Sequence, residues 1–227
     1  MIDTKRNLRF ERKYILNEED AFLLKQRISY VISPDASGPN GQYHVSTLYF
    51  DDIYNTAFYE KLNSTLTRDK FRIRFYKHNL DTLRLECKHR HAEMISKDSA
   101  LITHEQYKMM LSGDYAFMKK FSAAVFEKFY ITHMLRQMRP VIMVKYDRQA
   151  YLHPSGNVRI TFDRSLSASA PRGGHVFSIL PEDNVILEIK YDRFIPSFVT
   201  GLFSGIPFGQ QLSISKFSMA KLALQGI

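Results

Sequence analysis

One cysteine and no tryptophan occur among the 227 residues. The chain therefore cannot close an internal disulfide, and a reducing, cytoplasmic location is the expectation. No apolar run reaches the length of a membrane span, and residues 1–9 lack the apolar core of a secretory signal. Also missing are GxxxxGK[ST], GxGxxG, HExxH and CxxC, so the common signatures of phosphate loops, dinucleotide folds and zinc sites are absent. There is no internal repeat and no low-complexity tract. No partner protein is indicated, although one is compatible with the sequence.

What the chain does contain is enough apolar material for a substantial core, 44% hydrophobic and 13% aromatic residues. A single domain over residues 1–227 is expected. The formal net charge of +9 favours anionic partners without choosing among them. The basic run Lys88-His89-Arg90-His91 lacks interleaved aromatics, so nucleic acid is not expected as a partner.

Five short stretches alternate apolar with charged residues, the charges falling two apart: Glu11/Lys13, Arg72/Arg74, Glu86/Lys88, Arg159/Asp163 with Thr161 between, and Glu188/Lys190. Two is the strand period, so each stretch has one oily and one ionic face. Closed into a barrel with ionic faces inward, such strands would line a lumen with cations and a few carboxylates. As ordinary half-buried strands, they would turn the same charges to water.

Strands are expected at 8–16, 45–50, 70–77, 82–89, 140–151, 157–164 and 184–191, with the connection 78–81 making a hairpin of the third and fourth. Asn17 caps a helix that begins with three acids. A short helix follows at 55–62, and Thr103 with Gln106 forms a capping box for a helix ending near Gly113. A second helical stretch runs over 115–133, and Ser218 caps a last helix to Leu224. Residues 208–217 are less regular. Asp51 and Asp52 read as caps for the following turn. His89 and His91 read as solvated at a strand end rather than as metal ligands, and Cys87 as a small core residue.

Phe71-Arg72-Ile73-Arg74-Phe75 places two guanidinium groups side by side, an arrangement that suits phosphate oxygens. Leu85-Glu86-Cys87-Lys88 and Leu187-Glu188-Ile189-Lys190 repeat apolar, Glu, apolar, Lys. Each pair is either a structural ion pair or a carboxylate that holds a metal beside a phosphate-binding ammonium. The candidate cations are Lys13, Arg72, Arg74, Arg84, Lys88, Arg159, Lys190 and Lys216, and the acids are Glu11, Glu86, Asp163 and Glu188. Such a cationic excess within one closed layer would repel itself unless a polyanion occupied it.

In order along the chain, Phe10-Glu11-Arg12-Lys13-Tyr14, STLYFD at 46–51, FRIRFY at 71–76, LECKH at 85–89, KYDRQAY at 145–151, VRITFD at 158–163, VILEIKY at 185–191 and Ser215-Lys216-Phe217-Ser218 resemble the VTC (vacuolar transporter chaperone) domain. That domain is a branch of the triphosphate tunnel metalloenzymes, the CYTH-like superfamily. The resemblance implies an α+β, mainly β fold: eight antiparallel strands closed into a barrel tunnel, with helices packed outside. It also implies ATP or another triphosphate as substrate, polyphosphate as product or partner, and Mn²⁺ or Mg²⁺ as cofactor. The reaction implied is transfer of the terminal phosphoryl group to a growing polyphosphate chain. A tripolyphosphate or nucleoside triphosphate hydrolase and a non-catalytic polyphosphate-binding module are the alternatives.

Position by position, the resemblance places Lys13 beside the reacting phosphate, and Arg72, Arg74 and Lys88 on the phosphate chain. Arg159, Lys190, Lys216 and Arg84 complete the cationic lining. Glu188 is the main metal ligand, with Glu11 and Glu86 as further ligands or as groups that orient neighbouring cations. CYTH members open on ExExK, whereas here Arg9 occupies the first Glu position, which draws the chain toward the VTC branch. The phosphate-sensing module and membrane spans that eukaryotic VTC proteins attach to this domain are not among these 227 residues.

Overall fold

The computed structural model describes residues 8–76, 79–207 and 215–226, with 79–81 as backbone only. His78 of the expected connection and residues 208–214 lie outside the described residues. In chain order the elements are β1 (Phe10–Asn17), α1 (Glu18–Ser29), β2 (Ser33–Pro34), β3 (Gln42–Asp51), α2 (Thr56–Leu62), β4 (Thr67–Tyr76), β5 (Asn79–His91) and β6 (Met94–Ile102). There follow α3 (His104–Ser112), α4 (Ala124–Arg136), β7 (Arg139–His153), β8 (Val158–Ser169), β9 (Phe177–Ser178), β10 (Asn184–Tyr191), α5 (Ser197–Leu202) and α6 (Lys216–Leu224).

The expected closed eight-stranded barrel is not what these strands make. They join in a ten-stranded sheet of order β1-β10-β8-β7-β3-β4-β5-β6, with β2 added on β7 and β9 on β8. The pairs whose register is resolved are all antiparallel. Closure needs the two ends of the path to pair, and among the described residues β1 pairs β10 while β6 pairs β5. The α+β, mainly β part of the expectation stands. Strand β6 falls where the sequence suggested the start of a helical middle.

The residues group into two compact units, one within 1–44, 146–166 and 180–214, the other within 45–145, 167–179 and 215–227. In the first, α1 buries Ala21, Leu24 and Ile28 at helical spacing. They join a cluster with Val158, Ile160 and Phe162 of β8 and Val185, Leu187 and Ile189 of β10. The Asn17 side chain accepts from the Asp20 N–H at 2.7 Å and so fixes where that helix begins.

In the second unit, Phe71, Ile73 and Phe75 of β4 and Leu83, Leu85 and Cys87 of β5 face a core that includes Phe126 and Phe129 of α4 and Met110 of α3. Thr103 and Gln106 make the reciprocal capping box of α3, and Gly113 ends that helix in the left-handed region, as expected. Asp52 accepts from the N–H groups of Tyr54 and Thr56, and Asp51 from those of Ala57 and Phe58, so both acids fix the start of α2. The last helix begins earlier than expected. Its cap is Ser215, whose hydroxyl accepts from the Ser218 N–H. Among the described residues no helix is long and apolar enough to cross a membrane.

Candidate functional site

With Phe71, Ile73, Phe75, Leu85 and Cys87 turned to the core, the alternate residues of β4, β5 and β6 share the opposite face. Register then dictates which of them stand abreast. Lys70 lies opposite Lys88, and Lys88 opposite Lys97. Arg72 lies opposite Glu86, which faces Ser99, and Arg74 lies opposite Arg84, which faces Leu101. The face thus carries three lysines in one row and three arginines in the next two, with Glu86 as its carboxylate. Neighbouring strands are about 4.8 Å apart, and like charges directly opposite destabilise a sheet.

Glu86 is what makes this face tolerable. Its side chain is 2% exposed, with Arg72 Nε donating to one oxygen at 2.7 Å and Lys97 Nζ to the other at 2.7 Å. Burial alone would raise the carboxyl's pKa, but Arg72, Arg74 and Lys97 outweigh it and hold the group far below the usual carboxylate range. The glutamate stays ionised and fixes Arg72 in place. At the margin of the same face Lys70 Nζ donates to Ser215 Oγ at 3.1 Å and sits 4.6 Å from the centroid of the Phe217 ring. Arg84 is exposed, and Lys216, the first residue of α6, is half-buried.

The ionic face of the first unit is built differently. On β1, β10 and β8, Lys13 lies opposite Glu188 and Glu188 opposite Thr161, while Glu11 lies opposite Lys190 and Lys190 opposite Arg159. Lys13 Nζ is 2.6 Å from Glu11 Oε1 and 3.5 Å from Glu188 Oε1. Lys190 Nζ donates to Glu188 Oε2 at 3.0 Å. Arg159 Nη2 donates to Asp35 Oδ2 at 2.5 Å and to the Tyr43 hydroxyl at 2.6 Å. Arg148 makes a two-pronged contact with Asp163 and reaches Glu188 Oε2 at 3.4 Å. Here acids match bases, so the cationic excess resides on the β4–β5–β6 face.

The sequence reading missed several of these groups. Lys70 continues the alternation of Arg72 and Arg74 and was legible in principle. Lys97 lies on the strand that was not expected, and Arg148 follows Asp147 in a stretch where the charges do not alternate. His89 corrects the expectation of a solvated histidine. It is buried, with Nδ1 2.5 Å from Asp69 Oδ1 and Nε2 2.6 Å from Asp98 Oδ2.

A family model described as the VTC domain matches residues 8–224. The chain belongs to the VTC domain family. No curated protein matches the sequence. Among solved structures, the PH1819 protein of Pyrococcus horikoshii overlays with a TM-score of 0.51 at 13% identity, covering 96% of this chain and 99% of that one. The PH1012 protein of the same organism overlays with a TM-score of 0.49 at 12% identity, covering 93% and 98%. For the first of these the likeness is one of fold.

Membership in the VTC domain family implies a divalent metal, and the first unit has donors that fit one. Glu11 and Glu188 both reach Lys13, so their carboxylates lie close together. Opposite Glu188, the Thr161 hydroxyl is buried with no hydrogen-bond partner among the described residues. Carboxylate and hydroxyl oxygens are the hard donors that Mg²⁺ and Mn²⁺ take. Glu86 fits less well, since the residues abreast of it are Arg72 and Ser99 and, among the described residues, it has no second carboxylate beside it on that row.

Proposed function

We propose that this chain is a metal-dependent polyphosphate polymerase, which transfers the terminal phosphoryl group of ATP to the end of a polyphosphate chain. The observation that carries the reading is the row Lys70–Lys88–Lys97, flanked by Arg72, Arg74 and Arg84. A row of like charges across three adjacent strands costs stability, and a linear polyanion with one negative charge per phosphate is the ligand that offsets it. Membership in the VTC domain family supports the same ligand class.

In this reading the arginines hold nonbridging phosphate oxygens in forked geometry and the lysines act as point charges along the chain. Glu86 orients Arg72 rather than binding metal. Lys13, Lys190 and Arg159 are further phosphate-binding groups, set beside Glu11 and Glu188 as the metal-holding pair, and Lys216 adds a cation at the start of α6. A bound divalent ion would neutralise phosphate charge. A terminal oxygen of the acceptor attacks the γ-phosphorus, the bond from that phosphorus to the β–γ bridging oxygen breaks, and ADP leaves. The protein contributes positioning and charge neutralisation rather than a covalent intermediate.

The test is incubation of purified protein with ATP and Mn²⁺, read on a gel that resolves phosphate chains. Long chains are expected, and Glu188→Gln should abolish them while polyphosphate binding persists. Orthophosphate without chains would identify a hydrolase. Tight binding without either product would identify a binding module.

A further inference from the structure

The reverse side of the β4–β5 hairpin carries a second cluster, which the phosphate chemistry does not use. Asp69 of β4 lies opposite His89 of β5, with Cys87 two residues before His89 on the same face. One ligand atom from each of Asp69, Cys87 and His89 falls within 4.8 Å of the other two. We propose that these three residues bind a zinc ion, or another late first-row metal, distinct in place and in donor chemistry from the Mg²⁺ or Mn²⁺ at Glu11 and Glu188.

The donor set argues for that metal class. A thiolate, an imidazole and one carboxylate are borderline-soft ligands that select Zn²⁺ over Mg²⁺. The histidine is already oriented for it. Asp98 Oδ2 sits 2.6 Å from Nε2 and fixes the ring from behind, while Nδ1 shares a proton with Asp69 Oδ1 at 2.5 Å and lies 3.7 Å from Cys87 Sγ, so a metal would take the place of that proton. A carboxylate behind a ligating histidine is the usual outer partner of a zinc site.

Bond lengths near 2.0–2.3 Å around a tetrahedral zinc put sulfur and nitrogen about 3.5 Å apart, and nitrogen and oxygen about 3.4 Å apart. The sulfur–nitrogen spacing is met as it stands. The Asp69 carboxylate, about a third exposed, must withdraw by somewhat less than 1 Å. Binding would release the Cys87 thiol proton and the proton between His89 Nδ1 and Asp69, and water would fill the fourth position.

One cation stands in the way. Lys128 Nζ of α4 is 2.6 Å from Asp69 Oδ2 and 3.1 Å from His89 Nδ1. A metal at Nδ1 displaces that second contact, while the first survives on the outer oxygen. Lys128 therefore weakens metal binding.

Zinc affinity is to be measured by competition with a chromophoric chelator in the Glu188→Gln background, so that the carboxylate site of the first unit does not contribute. One equivalent is expected, and Co²⁺ in its place should show a thiolate-to-cobalt charge-transfer band. Cys87→Ala and His89→Gln should lose the equivalent, Asp98→Asn should weaken it about 10–100-fold, and Lys128→Met should tighten it. Melting curves and near-UV circular dichroism establish that each variant is folded. Absence of a stoichiometric zinc, a cobalt spectrum without the thiolate band, full binding by folded Cys87→Ala, or no tightening in Lys128→Met would each overturn the assignment.

Discussion

Arg148 grips Asp163 through two parallel hydrogen bonds, Nε to Oδ1 at 2.6 Å and Nη2 to Oδ2 at 2.7 Å, and the aspartate has no exposed surface. Burial works against the arginine's charge, but Asp163, with Tyr146 and Glu188, more than restores it and raises its pKa above the ordinary value. Removing Arg148 strands Asp163, and removing Asp163 leaves Arg148 only its longer contact to Glu188. Arg148→Met and Asp163→Leu, made singly, are each expected to cost about 3–5 kcal/mol. Urea unfolding would show this as a lower midpoint at constant slope. A loss below about 1 kcal/mol in either variant would mean that the remaining charge finds another partner.

The row of lysines makes a different kind of prediction. Lys88 stands between Lys70 and Lys97, so Lys88→Gln removes the middle charge of the row. Affinity for polyphosphate should fall, and the slope of log affinity against log salt should become shallower by about 1, by analogy with phosphate contacts in nucleic-acid binding. Unchanged affinity at low salt would remove this row from the binding surface.

Much of this arrangement was legible in the sequence. Alternation located β1, β4, β10 and the charged part of β5 and assigned their faces, because burying one side of a strand forces a period of two on its residues. Caps at Asn17 and Thr103 were legible because a side-chain oxygen three residues before a bare N–H is a local signal. Strand β6 was hidden because its pattern is inverted: Ser96 is buried in it while Leu101 is 59% exposed. Losing β6 also lost Lys97. Alternation says which face a residue takes and nothing about which edges pair, so closure was inferred from resemblance alone, and the strand path proved open.

Glu86 makes the charged face sensitive to acid. Its pKa is lowered on folding because Arg72, Arg74 and Lys97 overcome the burial that would raise it. A carboxyl with a depressed folded pKa stabilises the fold above its unfolded pKa, about 4.3, and loses that contribution as pH falls toward the folded value. Wild-type protein should therefore lose stability progressively below about pH 4.3, with the unfolded form taking up the proton. Glu86→Gln should be less stable at neutral pH and show a flatter decline in that range. Parallel curves for the two proteins would mean that Glu86 is not held ionised by its neighbours.

Two serine or threonine caps separate stability from binding. Ser215 Oγ accepts from the Ser218 N–H at 3.4 Å and also receives Lys70 Nζ at 3.1 Å, so one hydroxyl starts α6 and anchors an end of the lysine row. Thr103 caps α3, a helix that packs on the core side of the hairpin, away from the cations. Ser215→Ala and Thr103→Ala should each cost about 1 kcal/mol in unfolding experiments. Only the first should weaken polyphosphate binding, because Lys70 loses the oxygen that holds its ammonium group at the row's end. Equal affinity in the two variants would show that Lys70 keeps its position without Ser215, and that the Ser215 hydroxyl serves the helix alone.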